Sequence, residues 1–138
     1  MKIAKQIIDC FNRGNKCLIF GNGGSLADAS HWAAEFNGIG PVIALNDPAK
    51  ITSIGNDYGF KYIFFQQIKD LGKSWDLAIA LSSSGRSENV LNGITAAHGM
   101  NMIVIDFPRK GKNTQEVQNY QYQLLHEIYL LVKKNYAR

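Results

Sequence analysis

The sequence predicts a single α/β domain built on a parallel sheet. Three observations carry that prediction. Four short apolar runs, at 16–20, 42–45, 77–81 and 102–105, have the length and aliphatic content of strands covered on both faces. Stretches of helical periodicity separate them, and strands alternating with helices imply right-handed crossovers in one parallel sheet. Polar turns rich in glycine or serine follow the first and third runs, at the carboxyl ends where such sheets bind ligands.

Residues 1–13 mix Lys2, Lys5, Gln6 and Asp9 with Ile3, Ile7 and Ile8. That is an amphipathic helix ended by Gly14, without the continuous apolar core of a signal peptide. Strand 16–20 feeds Gly21, Gly23 and Gly24, a turn that glycine makes cheaply, and Ser25 is expected to cap a helix over 26–37. Gly38, Gly40 and Pro41 break the chain before strand 42–45. Asn46, Asp47 and Pro48 turn into a short helix reaching residue 54, and 55–59 reads as a loop because Gly, Asn and Asp favour turns. A helix over 60–70, the strand at 77–81, and a helix from the serine turn to about His98 follow. The strand at 102–105, a basic loop at 108–113 and a long helix over 114–136 complete the chain. That last helix sets Val117, Leu124, Leu125, Ile128 and Leu131 on its apolar positions. No internal repeat interrupts this pattern, so one domain over 1–138 is expected.

Composition narrows the function classes. Apolar content of 46% and charged content of 19% are those of a globular chain, and no apolar run approaches a membrane span. Cys10 and Cys17 fall in a helix and a strand, so reduced thiols and a cytoplasmic location are expected. The net charge of +4 comes from scattered residues, with small clusters at Arg109-Lys110-Gly111-Lys112 and Lys133-Lys134. These read as solvated surface, and neither a nucleic-acid nor a membrane partner is expected.

Several residue sets carry chemistry, and each also has a plain structural reading. A glycine turn feeding a helix presents unpaired N–H groups to an anion. Ser82, Ser83, Ser84 and Ser87 make a second turn that suits a phosphate without a lysine, with Arg86 able to add charge; the plain reading is an exposed serine turn. Gly21-Asn22-Gly23 begins a dinucleotide fingerprint, and Asp47 stands where a ribose-binding carboxylate would. The third glycine position is Leu26, however, and turns decorated with Ser and Asn fit a phosphorylated sugar better, so no nucleotide cofactor is expected. His31 and Glu35 share a helix face and could be metal ligands, an acid–base pair or an ordinary polar contact. Gln118, Gln121, Gln123 and His126 form a second polar set, or else a solvated helix face. Asn56 and Asp57 could meet sugar hydroxyls or simply turn the chain. Trp32, Trp75 and the aromatic stretch 58–65 read as core or subunit contacts, and His98 as a helix-end residue.

Four stretches together resemble the sedoheptulose 7-phosphate isomerases (phosphoheptose isomerases) of the SIS superfamily. They are GNGGSLADASHWAAEF from Gly21, ITSIGNDYGF from Ile51, LSSSGRSENV from Leu81 and VQNYQYQLLH from Val117, in the family's order and across most of the chain. The resemblance implies a flavodoxin-like three-layer α/β sandwich. It implies aldose–ketose isomerisation of sedoheptulose 7-phosphate to D-glycero-D-manno-heptose 7-phosphate through an enediol, in the cytoplasm, for bacterial surface-glycan heptose synthesis. Substrate contacts would fall on Asn22, Gly23, Gly24, Ser25, Glu35, Asn56, Asp57, Ser82, Ser83, Ser84, Ser87 and Gln118. One zinc ion per site would be held by His31, Glu35, Gln118 and His126. Glu35 would be the base and His126 the acid or base for the neighbouring oxygens, with zinc polarising the carbonyl.

Gln118 and His126 are eight residues apart, which on a straight helix is about 12 Å of rise, whereas zinc ligands bind at roughly 2.0–2.3 Å. Either the helix is interrupted or the two residues come from different subunits; a homo-oligomer, dimer or tetramer, with interfacial sites is expected. The chain also departs from the family. Its first strand begins by Lys16, where members carry a longer helical region. The segment 106–113 leaves no room for a further family strand, so about four strands are expected, and Arg86 stands where a small polar residue is commoner. The alternative these departures favour is a non-catalytic SIS module that binds a phosphosugar or a protein partner.

Overall fold

A computed structural model describes residues 1–136. Four parallel strands, β1 (Cys17–Phe20), β2 (Val42–Ala44), β3 (Leu77–Ala80) and β4 (Ile103–Asp106), form one sheet in the order β2-β1-β3-β4. This is the flavodoxin-like strand order. The central strands β1 and β3 are buried at every position, because helices cover both faces of the sheet. That double coverage is why both read in the sequence as unbroken apolar runs.

Successive strand residues point to opposite faces and so feed two cores. Cys17, Ile19, Leu77 and Ile79 pack with Trp32, Phe36, Leu125 and Ile128. Leu18, Phe20, Ala78 and Ala80 pack with Phe64, Ile68, Val90 and Ala97. The first helical layer comprises α1 (Lys2–Asn12), α2 (Gly24–Glu35) and α6 (Thr114–Asn135); the second comprises α3 (Pro48–Asp57), α4 (Ile63–Leu71) and α5 (Glu88–Gly99). The result is the expected three-layer sandwich. In α1, Ala4, Ile7, Cys10 and Phe11 are buried, the one-faced pattern of an amphipathic helix. In α6, the Asn113 side chain accepts from the Glu116 N–H while its amide donates to the Glu116 carboxylate, closing the first turn from both sides.

Three local expectations are corrected. The segment 55–59 is not a loop throughout: α3 runs on to Asp57, so Asn56 and Asp57 are helical. The buried Ile54 anchors that last turn, and Tyr58 and Gly59 donate to its carbonyl. The chain reverses at Gly59, whose φ of +110° suits glycine. Ser25 does not cap α2, which starts one residue earlier with Gly23 at φ +54° as its cap. The helix expected over 60–70 opens with a 3-10 turn, Phe60–Tyr62, before α4. Between β4 and α6 there is no fifth strand among the described residues.

The two tryptophans separate. Trp32 lies in the core, while Trp75 is exposed on a backbone with φ +72°. Cys10 and Cys17 are buried free thiols. Among the described residues no helix is long and apolar enough to cross a membrane.

The amino ends of β1 and β3 are tied by Asp76, which is buried. Its carboxylate accepts from Asn15 Nδ2 (2.7 Å), Lys16 N (3.1 Å), Lys16 Nζ (2.6 Å) and Lys73 N (2.9 Å). Burial pushes its pKa up, but the hydrogen bonds from Lys16, Asn15 and the two backbone N–H groups outweigh burial and hold the group below the usual carboxylate range.

Candidate functional site

The carboxyl ends of β1 and β3 form the crevice of this sheet, since the chain crosses to β2 on one side and to β4 on the other. Gly21 lets the two following turns touch. A Cβ there would lie 2.6 Å from the Leu81 carbonyl oxygen and 2.9 Å from the Ser25 Cβ. Asn22, Ser25, Leu81, Ser82, Ser83 and Ser87 line a cleft of about 40 Å³ between the turns.

The serine turn is braced by its own hydroxyls. Ser82 Oγ accepts from the Gly85 N–H and Ser84 Oγ from the Arg86 N–H, both at 3.0 Å. Gly85 has φ +70°, and the Arg109 guanidinium lies against it. Asp106 holds that guanidinium with bonds of 2.9 and 3.1 Å, and this pairing raises the Arg109 pKa. Ser84 and Arg86 are exposed, and Ser87 precedes α5 without a side-chain capping bond.

Two buried amides tie the turns to the frame. Asn22 and Asn89 pair reciprocally, each donating its Nδ2 to the other's Oδ1 at 2.8 Å. From α6, Gln121 Nε2 donates toward the carbonyls of Ser82 (3.4 Å), Phe107 (3.5 Å) and Pro108 (3.1 Å).

The second group of expected residues lies along the seam of α2 and α6, which run in the same direction. Gln118 packs on Gly24, the rings of His31 and Tyr122 are 6.2 Å apart, and Trp32 Nε1 donates to the Leu125 carbonyl at 2.7 Å. At the far end Glu35 Oε1 lies 3.5 Å from His31 Nε2 and 3.9 Å from His126 Nδ1. Both imidazoles are exposed and the carboxylate is partly covered. Near the glycine turn, burial raises the Asp28 pKa, opposed by a hydrogen bond from Gln118 and by the nearby His31.

The structure therefore gathers the expected residues into two places. Asn22, Ser25, Ser82, Ser83 and Ser87 surround the cleft, with Gly23 and Gly24 in the turn beside it. His31, Glu35 and His126 form the group at the end of α2, while Gln118 stays beside Gly24. Asn56 and Asp57 join neither; they are exposed at the end of α3, with Asn56 Nδ2 donating to Asp57 Oδ1 at 3.2 Å. Asp47 is a helix cap, accepting from the Lys50 N–H at 2.9 Å. Asp28, Asn89 and Arg109 were not expected to serve the site. Gln121 was read as one of a polar set or a solvated face; it is buried, on the same stripe of α6 as Val117, Leu124 and Leu125.

A family model described as SIS domain matches residues 1–107. The chain is 38% identical over 118 residues to phosphoheptose isomerase 1 of Campylobacter jejuni, covering 80% of this chain and 63% of that one. It therefore spans less than two thirds of that relative's length. It is 33% identical over 150 residues to the phosphoheptose isomerase of Fusobacterium nucleatum, covering 92% of this chain and 77% of that protein. Among solved structures, the phosphoheptose isomerase of Neisseria gonorrhoeae superposes with a TM-score of 0.93 at 32% identity, over 96% of this chain and 84% of the other.

Proposed function

The chain belongs to the SIS domain family, among the phosphoheptose isomerases, and from that premise we propose that it interconverts sedoheptulose 7-phosphate and D-glycero-D-manno-heptose 7-phosphate. The observation that carries the reading is the placement of Glu35 Oε1 within 4 Å of two imidazoles, 3.5 Å from His31 and 3.9 Å from His126. Isomerisation of this kind moves one proton from C1 to C2 and another between the two oxygens. Glu35 takes the C1 proton and returns it at C2. His126, whose neutral ring can both donate and accept, serves the oxygens. Ser82, Ser83, Ser84 and Ser87 take the phosphate, with the N-terminus of α5 supplying the positive end of its dipole. Asn22, Gly23, Gly24, Ser25, Gln118 and, across an interface, Asn56 and Asp57 take the sugar.

Imidazole nitrogens and carboxylate oxygens are donors that zinc accepts, and the spacing about Glu35 is compatible with such donors. His31, Glu35, Gln118 and His126 would hold one ion, and Glu35 would release or share it to act as base. When bound, the ion supplies Lewis-acid polarisation of the carbonyl. Among the described residues of one chain no group of three closes on a single ion position, and α6 is uninterrupted between Gln118 and His126. We therefore read the ligand set as completed by a second copy, in a homo-oligomer with sites between subunits. The buried thiols fit a reducing cytoplasm, and the product would feed heptose synthesis for a bacterial surface glycan.

The open ligand set of the single chain also favours a second reading, a SIS module that binds a phosphosugar or a protein partner without converting it. Assay of the purified protein with sedoheptulose 7-phosphate, with and without zinc and beside Glu35→Gln, separates the two. Conversion that falls by about 10²–10⁴ in the variant is expected. Absence of conversion by folded, metal-loaded protein would overturn the isomerase in favour of the binding module.

A further inference from the structure

We infer that Asn89 is a positioning residue whose clasp with Asn22 sets the spacing between the serine turn and the glycine turn, and so selects sugar phosphates that reach both. The inference rests on the reading of those turns as phosphate and sugar contacts. Asn89 is only 3% exposed, in the first turn of α5, and its amide points inward. Gly93, one turn further along, makes this approach possible, since a Cβ there would meet the Phe20 ring at 2.8 Å. The α5 helix therefore lies close against the Phe20 side chain, and Asn89 reaches the residue two beyond β1.

The clasp takes one donor and one acceptor from each residue, both bonds at 2.8 Å. An apolar side chain at 89 supplies neither, and a carboxylate supplies no donor. Two other ties join the walls. The Leu81 N–H donates to the Phe20 carbonyl at 2.9 Å, and Gly21 abuts the Leu81 carbonyl. Both of those are fixed by backbone; the Asn22–Asn89 clasp is made by side chains and stands beside the cleft that Asn22 and Ser87 line. The donor hydrogen and lone pair that the clasp leaves on Asn22 remain available to the sugar. A ligand that bridges both turns feels their spacing, whereas inorganic phosphate needs the serine turn alone.

Calorimetric titration of wild type, Asn89→Ala and Asn89→Asp with inorganic phosphate and with sedoheptulose 7-phosphate tests this. In Asn89→Ala the Kd for the sugar phosphate should rise about tenfold while that for phosphate stays within about twofold. Asn89→Asp keeps the shape of the wild-type residue, so it remains informative where the alanine variant does not fold. Its carboxylate accepts from Asn22 Nδ2 but opposes Asn22 Oδ1. Burial favours the protonated acid, so as pH falls the missing donor is restored, and the ratio of the two affinities should return to that of wild type at the same pH. A ratio unchanged in the alanine variant, two affinities that fall together, or an aspartate variant indifferent to pH would each overturn the clasp. Turnover by wild type, followed in the same samples, judges the isomerase separately. A wild type that binds the sugar phosphate without converting it overturns the enzyme and leaves the ratio to decide the clasp. A wild type that gains no affinity from the sugar overturns both.

Discussion

Replacing Asp76 with Asn changes no volume and isolates the electrostatics of the pole opposite the cleft. The carboxylate accepts four hydrogen bonds, of 2.6 to 3.1 Å. An amide offers one acceptor oxygen and turns two donor hydrogens toward groups that are themselves donors. The charge-assisted bond from Lys16 Nζ contributes about 1.5–3 kcal/mol, and a buried donor left without an acceptor costs about 1–3 kcal/mol. Removing one partner of a buried ion pair costs about 3–5 kcal/mol, and the 21% exposure of the Lys16 side chain places this pair toward the lower end. At about 2.1 cal/mol/K per residue, 138 residues give a melting entropy of about 0.29 kcal/mol/K, so 3–5 kcal/mol corresponds to a fall in Tm of about 10–17 °C. Calorimetric melting at several pH values is the assay. The folded pKa of Asp76 is lowered, so its contribution is complete above the unfolded value of about 3.9 and is lost as pH falls through the folded value. The gap between wild type and Asp76→Asn should therefore narrow below about pH 4. A fall in Tm under about 4 °C, or a gap that does not change with pH, would refute the account of this carboxylate as the tie between β1 and β3.

Two further substitutions probe the seam and the serine turn. Trp32→Phe removes a buried indole whose N–H donates to the Leu125 carbonyl at 2.7 Å, so urea unfolding should show a loss of about 2–3 kcal/mol. Because α2 and α6 also carry Glu35 and His126, turnover should fall with it; full activity would mean that the seam does not position them. Gly85→Ala places a Cβ 2.9–3.0 Å from the Arg109 guanidinium at a φ of +70°. Stability should drop by about 1–2 kcal/mol, and the rise in Tm given by added phosphate should shrink. An unaltered phosphate response would separate Arg109 from the anion site.

What could be read from the sequence depended on whether local spacing carried the signal. The strands β1 and β3 were legible because burial on both faces leaves an unbroken apolar run. His31 and Glu35 were legible as a pair because one helical turn brings them together. That His126 joins them came only from the family resemblance and not from local spacing, because it follows from the parallel packing of α2 on α6, whose Trp32–Leu125 bond spans 93 residues. Asn56 and Asp57 were misplaced because glycine and short polar residues resemble a turn, yet the buried Ile54 holds them in α3. Asn89 was hidden by its position in a polar first turn, where a solvated side chain is the ordinary expectation. Its burial comes from Gly93 and Phe20, two residues that suggest nothing about an amide.

The place of α6 also has a consequence during synthesis. This last helix covers the layer formed by the first two, through Leu124, Leu125, Ile128 and Val132 against Ile7, Phe11, Trp32 and Phe36. The ribosome adds about 5–20 residues each second, so the hundred residues from Glu35 to Asn135 take about 5–20 s. During that interval both partners of β1 and the helices of the other layer are added, while the face meant for α6 stays uncovered. Until α6 has been made, the chain would thus present its aromatic face to chaperones, and docking of α6 would be the event that buries it.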